Sequence, residues 1–446
     1  MLDLFRKDTF RHGVHPPEMK DDTADLAIRQ FPFSPVLIVP LSQHLGKPAK
    51  AVVREGQEVI RGQTIAVPDG FMSVAMHAPA SGIVRRITLA PNIAGTKVDS
   101  VFIEPYPAST QDIDDGEPCS LDASPDDIIT AIQNAGIVGL GGAAFPTHVK
   151  LKPPEGRHLD TLFINGVECE PYLTTDYRVM LEQTEDVFTG IRYLMRATGT
   201  SAVIIAIEAN KQDVADRFRS MCPDDLPLSV RVSPVKYPQG AEKMIFSALI
   251  DREVPSGGLP ADIGVICCNV ATTAEIGRLL PRGRGIQERV ITIGGPGVRK
   301  KGNYRIPIGT PVRFALEQCD PVDDISRVFM GGPMMGPTVS NLDIPITKGT
   351  SGITAFTTAE TGDATGHKTV YPCIHCARCV EACPIFLNPS QLGILAKNEE
   401  YEQMAESWHL MDCFECGACT YVCPSHIPLV QYFRMAKKMV RKLSAA

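Results

Sequence analysis

At roughly 150 residues per domain, a chain of 446 residues exceeds one compact core and suggests about three domains. Apolar residues at 44% and charged residues at 21% exclude a disordered or fibrous chain. Forty-four Lys and Arg against 51 Asp and Glu leave a net charge of -7, which gives no global attraction to nucleic acid.

The opening segment Met1–Phe10 alternates charged and apolar residues and lacks the apolar stretch of a secretory signal, which predicts a cytosolic chain. No membrane span is expected, because the longest apolar run, around Val203–Ile207, is far short of the roughly 20 residues a bilayer needs. Val52–Ala66 and His77–Ile87 read as paired β segments with glycine turns and resemble the two halves of a lipoyl or biotinyl carrier domain. Such a carrier needs a lysine at the hairpin tip, and none occurs between Gln63 and Ala78. The expectation is a barrel-sandwich module used for contacts, not a swinging arm.

Further along, Ser124 is placed to cap a helix with Pro125 in its first turn and Ile128, Ile129 and Ile132 on one face. The glycine-rich loop Gly139–Pro146 follows. Its letters satisfy GxGxxA from Gly139 to Ala144, but a helix precedes it where the dinucleotide fingerprint requires a strand. Its bare backbone suits a phosphate or a flat ring, while a tight turn against a sheet is the plainer account. Leu159–Asn165, Ala202–Glu208, Leu228–Val235 and Gly264–Val270 are strand-like, with helical segments between, as in an α/β sheet that binds its ligand at the strands' carboxyl ends. The run Asn165–Pro171 leaves the first strand at such an end, and Cys267 and Cys268 are expected to be buried strand residues. Cys119, Cys169, Cys222 and Cys319 show no ligand spacing.

From Val290, VITIGGPGVRKKGNYRIPIGTPVRFAL resembles a soluble-ligand-binding β-grasp module, and its glycines, like those of GGPMMG (331–336), read as turns. No Walker sequence occurs, so ATP hydrolysis is not supported. Eight of the 14 cysteines then form two runs of the form CxxCxxCxxxCP: Cys373, Cys376, Cys379, Cys383 and Cys413, Cys416, Cys419, Cys423. In a reducing compartment such residues are metal ligands rather than disulfides. This spacing is that of paired [4Fe-4S] clusters in which each fourth cysteine serves the other cluster. It assigns Cys373, Cys376, Cys379 and Cys423 to one cluster, and Cys413, Cys416, Cys419 and Cys383 to the other. Zinc is the rival, but it favours two separated CxxC pairs. Between the runs Asn388 can cap a helix, and Leu392, Leu395, Tyr401, Met404, Trp408 and Met411 recur at helical intervals, with Trp408 and the Met residues expected to pack around the clusters. Arg434, Lys437, Lys438, Arg441 and Lys442 near the end mark a basic amphipathic helix that suits anionic lipid, a partner or plain solvent.

GLGGAAFPTHVK, FINGVECEP, KYPQGAEK and CCNVATTAE, in that order, resemble the flavin-binding motifs of the NADH-oxidising subunit of respiratory complex I. With HPPEMK (15–20), PLSQH (40–44) and the twin cluster motif, nearly the whole chain resembles the RnfC family of Rnf-complex subunits. The resemblance implies a multidomain α+β and α/β protein. Its modules would be an N-terminal lipoyl-like barrel-sandwich hybrid (1–115), a Rossmann-like FMN/NADH-binding α/β domain (120–285), a β-grasp module (286–350) and a C-terminal α-helical ferredoxin domain with two [4Fe-4S] clusters (365–446). It further implies noncovalent FMN against Gly139, Gly141, Gly142 and Lys150, the lysine as countercharge to its phosphate. Asn165, Glu168, Tyr237, Gly240, Glu242, Asn269 and Thr272 would stand around the FMN, and Phe145 and Glu170 would face NAD(H) as substrate. An acid of the complex I subunit is replaced by Val167 and another by Ala241, and its NADH-gripping aromatic and basic residues have no counterpart near 253–260.

The function implied is that of a peripheral subunit at the cytoplasmic face of the bacterial inner membrane. It would exchange electrons between NAD(H), FMN, two clusters and the other Rnf subunits, reaching ferredoxin indirectly, with no nucleic acid. A soluble cobalamin reductase sharing the flavin loop and twin clusters, and a non-catalytic electron-relay scaffold, are the alternatives.

Overall fold

The computed structural model describes residues 8–107, 110–153, 156–361 and 368–445. Most of the opening segment (1–7) and the expected start of the ferredoxin domain at 365 lie outside the described residues. An N-terminal arm carries β1 (Arg29–Gln30). Then come β2 (Leu37–Pro40), β3 (Lys50–Ala51), β4 (Glu58–Val59), β5 (Thr64–Val67), β6 (Met76–His77), β7 (Gly82–Pro91) and β8 (Lys97–Pro105). They form two sheets, β2-β8-β7-β4 and β3-β5-β6, which enclose Ile65, Val74, Met76, Val84, Val101 and Ile103 as expected of a barrel sandwich.

The next module is built on β9 (Thr161–Gly166), β10 (Ala202–Glu208), β11 (Leu228–Ser233) and β12 (Val265–Asn269), all parallel in the order β11-β10-β9-β12. Helices cover the sheet, so apolar residues such as Leu162, Phe163, Ile205, Val265 and Cys267 are buried on both faces. The chain moves from β9 through β10 to β11 and then returns to the far side of β9. The topological switch therefore falls between β9 and β12, the position at which such sheets bind ligands. Asn165 and Asn269 sit opposite each other there in register. The helix Pro125–Asn134 has Ser124 as its cap, accepting from Asp127 N.

A third, five-stranded sheet has the order β1-β14-β13-β16-β15, with β13 (Glu288–Gly294), β14 (Gly302–Pro307), β15 (Ile325–Met330) and β16 (Gly352–Thr357). The helix Val312–Gln318 packs Val312, Ala315 and Leu316 into its core. This sheet crosses the expected limits of 286 and 350. It takes β1 from the N-terminal arm and β16 from beyond residue 350, because backbone donors of β14 and β13 need partners that the local hairpin cannot supply.

The cysteine-rich module is helical: Arg378–Ala382, Pro389–Lys397, Tyr401–Glu406, Ala418–Tyr421 and Leu429–Ala445. Asn388 caps the second of these through Gln391 N. Leu392, Leu395 and Met404 are buried, but Met411 is 46% exposed and does not pack around the cysteines, because the helical period breaks at 398–400 and again after Glu406. The last helix is less free than its basic sequence implied. Phe433 and Ala436 are buried, Arg434 pairs with Glu415 at 3.1 Å, and Lys437 pairs with Glu415 at 3.2 Å and donates to the carbonyl of Cys413.

Two glycines set how closely the helices Thr184–Thr198 and Val270–Leu279 of the parallel-sheet module cross. A Cβ on Gly190 would lie 1.9 Å from Thr273 O, and one on Gly277 the same distance from Asp186 O. Gly190→Ala must push the helices apart, and an overpacked core loses about 1–3 kcal/mol. A clear fall in the thermal unfolding midpoint is expected; an unchanged midpoint would contradict the close crossing.

Candidate functional site

The residues at the β9/β12 switch are held by one another. Asn165 donates to Gly240 O at 2.8 Å and accepts from Val167 N at 3.1 Å. Asn269 caps the helix Val270–Leu279, accepting from Ala271 N and Thr272 N, and donates to Asp176 Oδ2 at 2.7 Å. Glu168 accepts from Asp176 N at 2.9 Å and Tyr177 N at 3.3 Å, which caps the helix Thr175–Glu182. Thr272 Oγ1 accepts from Leu140 N at 2.9 Å and so ties the glycine loop to the same helix start.

That loop closes on itself through Gly139 N to Phe145 O at 2.8 Å and Ala144 N to Gly139 O at 3.2 Å. Arg289, fully buried beneath it, donates to Leu140 O at 2.9 Å and Thr350 O at 3.1 Å. A Cβ on Gly141 would crowd Asn269 at 3.2 Å. Gly142 has φ +118°, where side chains are strained, with no atom within 4 Å of where its Cβ would stand. The outer face of the loop is thus bare backbone that a flat ring can approach, and the glycines fit a flavin. Lys150, at the end of the short helix Thr147–Lys150, donates to Glu242 Oε1 and Cys267 O, each at 2.7 Å. Burial opposes its charge, but the Glu242 carboxylate holds its pKa above the ordinary lysine value. A phosphate arriving here meets a lysine that already has an acidic partner.

Two residues expected around the ligand are engaged elsewhere. Tyr237, buried and joined to Pro238 by a cis peptide, donates its hydroxyl to Cys416 O at 2.6 Å in the second cysteine run. Glu170 accepts from Met334 N at 2.6 Å and Met335 N at 3.2 Å, and burial raises its pKa. Both side chains belong to the junction between the parallel-sheet module, the loop 331–336 and the cysteine module. Lys20 of HPPEMK fastens the same stretch, donating to the carbonyls of Glu168, Glu170 and Leu173 at 2.8, 2.9 and 2.5 Å.

Asp176 escaped the sequence reading, because TTDYR reads simply as the start of a helix. Burial and then the neighbouring Glu168 charge push its pKa up to about 7, against hydrogen bonding from Asn269 and the positive charges of Arg289 and Lys211.

The cysteines line two cavities. One, of about 540 Å3 including its open mouth, is lined by Cys373, Cys376, Cys379 and Cys423 together with Ile374, Ile394 and Ile427. The other, of about 360 Å3, is lined by Cys383, Cys413, Cys416 and Cys419 with Val430 and Phe433. Each pairs three cysteines of one run with the fourth of the other. Nowhere among the described residues do three or more His, Cys, Asp or Glu close on a point that would hold a single metal ion. An all-sulfur set spread around a cavity fits an iron-sulfur cube better than zinc. Burial raises the thiol pKa values of Cys379, Cys383, Cys413 and Cys419, and that of Cys416 to about 12. Deprotonation at these sites therefore has to come with the metal.

Family models match three stretches: the RnfC barrel sandwich hybrid domain at residues 8–107, the Nuo51 FMN-binding domain at 132–278 and the 4Fe-4S dicluster domain at 369–427. The corresponding subunit of the proton-translocating ferredoxin:NAD+ oxidoreductase complex of Clostridium ljungdahlii is 40% identical over 433 residues, covering 96% of this chain and 93% of that protein. Its counterpart in the Na+-translocating ferredoxin:NAD+ oxidoreductase complex of Acetobacterium woodii is 39% identical over 434 residues, covering 97% of each. The chain belongs to the RnfC family. A crystal structure of an NAD+-reducing [NiFe]-hydrogenase in the H2-reduced state shares the fold over 70% of this chain and 62% of its own, with a TM-score of 0.50 at 20% identity. Membership accounts for the barrel sandwich, the FMN-binding domain and the dicluster domain in one chain. No helix among the described residues is long and apolar enough to cross a membrane.

Asp176 gives this family site a pH signature. A carboxyl with a folded-state pKa of about 7 keeps its proton over a range where the unfolded chain, near 4, has lost it. Stability therefore falls as pH rises from about 4 to about 7, and the full loss persists above that. Asp176→Asn, which can still accept from Asn269, is expected to raise the unfolding midpoint at pH 8 more than at pH 5; equal shifts would refute the assignment.

Proposed function

We propose that this chain is the nicotinamide-reactive, cluster-bearing subunit of an ion-translocating ferredoxin:NAD+ oxidoreductase complex. It exchanges electrons between NAD(H) and partner subunits, with ferredoxin reached through those partners. Its position is peripheral, on the cytoplasmic face of the bacterial inner membrane, and ion movement is assigned to other subunits. The observation that carries this reading is the hydrogen bond from Tyr237 to Cys416 O, which holds the buried cysteine cavity against the domain that carries the glycine loop.

Bound FMN supplies the exchange between a two-electron hydride and single electrons, which bound [4Fe-4S] clusters carry one at a time. The chain's own residues provide place and order. Gly139, Gly141 and Gly142 present bare backbone, Lys150 supplies the cation for the flavin phosphate in competition with Glu242, and Phe145 lies at the nicotinamide side of the loop. Cys413, Cys416, Cys419 and Cys383 would hold the cluster nearer this site. Cys373, Cys376, Cys379 and Cys423 would hold the outer one, whose Cys376 is exposed. The five-stranded sheet, with the helix Val312–Gln318 packed into its core, supports the β-grasp reading for the third module. The barrel-sandwich match at residues 8–107 disfavours the cobalamin reductase alternative.

Protein purified anaerobically is expected to contain iron, sulfide and FMN, and NADH should bleach its flavin absorbance and then develop cluster EPR signals. A zinc-containing or flavin-free preparation would sink the proposal. Replacing Cys423 with Ser should abolish the EPR signal of the outer cluster and largely spare the inner one; loss of the inner signal alone would reverse the ligand assignment.

A further inference from the structure

The glycine loop has a neighbour from another module. The segment between β5 and β6 is where a carrier domain bears its modified lysine, and here it presents Phe71 at 51% exposure and Met72 at 36%. Beside them stands Leu45, 57% exposed. This apolar group is built, not loose. Lys47 N donates to Met72 O at 2.9 Å, and Gly46, at φ +113°, has no room for a Cβ, which would fall 2.1 Å from the same oxygen. Gln133 donates to Gly70 O at 3.2 Å and Ser73 O at 2.9 Å.

The group is also fixed to the flavin domain. Leu45 N donates to Ala144 O at 3.3 Å, within the glycine loop itself. His148 Nε2 lies 2.6 Å from Phe71 O, and the two rings meet edge-on with centroids 5.4 Å apart. Burial lowers the pKa of His148, which favours the neutral ring with Nε2-H as the donor. A charge stands at the same place: Lys47 and Asp69 form an exposed ion pair at 2.7 Å. Such a pair contributes little by itself and exchanges readily for another anion.

An apolar and aromatic rim with a cation at its edge, continuous with bare glycine backbone, suits a ligand that has flat rings joined by a pyrophosphate. We infer that Phe71, Met72 and Leu45 of the barrel sandwich form the wall on which a ring of the nicotinamide dinucleotide packs, with Lys47 meeting its phosphates. The barrel sandwich thereby supplies part of the nucleotide grip that residues 253–260 lack. The inference rests on the reading of Gly139–Pro146 as the flavin loop.

The test is equilibrium binding of NAD+ to anaerobically purified, flavin-loaded full-length protein. Phe71→Ala and Leu45→Ala should each raise Kd about tenfold, Phe71→Trp should restore it, and Lys47→Ala should weaken binding and flatten its dependence on salt. Flavin content and cluster EPR signals are read in each variant to show that it is folded and loaded. Unaltered affinity in folded, loaded variants overturns the inference, as does shedding of partner subunits from the purified complex with affinity unchanged, which would mark a subunit interface. Absence of NAD+ binding by unsubstituted, flavin-loaded protein would instead overturn the proposed function itself.

Discussion

A main-chain carbonyl buried in an irregular loop needs a donor, and leaving it without one costs about 1–3 kcal/mol. The loops that matter here are irregular and buried, so they have no ladder to supply those donors. Long cationic side chains from elsewhere in the chain do so. Lys20 from the N-terminal arm satisfies Glu168, Glu170 and Leu173. Arg289 satisfies Leu140 and Thr350, and Lys437 reaches Cys413. Lys348, fully buried, joins Ala75 of the barrel sandwich to Gly136 of the flavin domain. Burial lowers its pKa to about 7, yet an amine still donates when neutral, so the clamp does not depend on its charge.

These clamps explain why four modules act as one scaffold. A second set of contacts ties them by charge: Arg61 of the barrel sandwich pairs with Glu288 of β13 at 2.6 Å, and Arg278 of the flavin domain pairs with Glu275 at 2.7 Å and approaches Glu288 at 3.7 Å. Arg305 of β14 completes the group. A buried network of this kind adds little net stability over apolar packing, because each ion loses its water. Breaking one member is costly, however, which favours a single relative placement of the three modules. The cysteine module inherits that placement through Tyr237 and through Arg434, which donates to Met335 O. One cysteine cavity is thereby turned inward, and the other left with Ile374 and Cys376 at the surface.

Local rules made much of this legible. Ser124 and Asn388 cap the helices expected of them, and Ala202–Glu208 forms a strand with the bounds read from its apolar run. The crossed pairing of cysteine runs follows from spacing alone, because three ligands two residues apart leave the fourth to the other site. Less legible were side chains whose partners lie far along the chain. Tyr237 and Glu170 stand within motifs that resemble a flavin site, yet their hydrogen bonds go to residues 416 and 334–335. Met411 fits a helical period that the chain abandons, and the basic face of the last helix is partly spent on Glu415 and Cys413. Asp176 gave no signal, since its elevated pKa arises from burial and then from the Glu168 charge, neither of which the local sequence records.

Residue order alone specifies the family, the strands and caps, and the grouping of the cysteines, since each depends on residues near one another in the chain. What each polar side chain does emerged with the folded arrangement. Folding paired Asn165 with Asn269 across β9 and β12, set Lys150 on Glu242, turned Tyr237 toward the cysteines and brought Phe71 beside the glycine loop. The reason is that a hydrogen bond or an ion pair is fixed by distance in space, and no spacing along the chain records which remote loop will fold onto it.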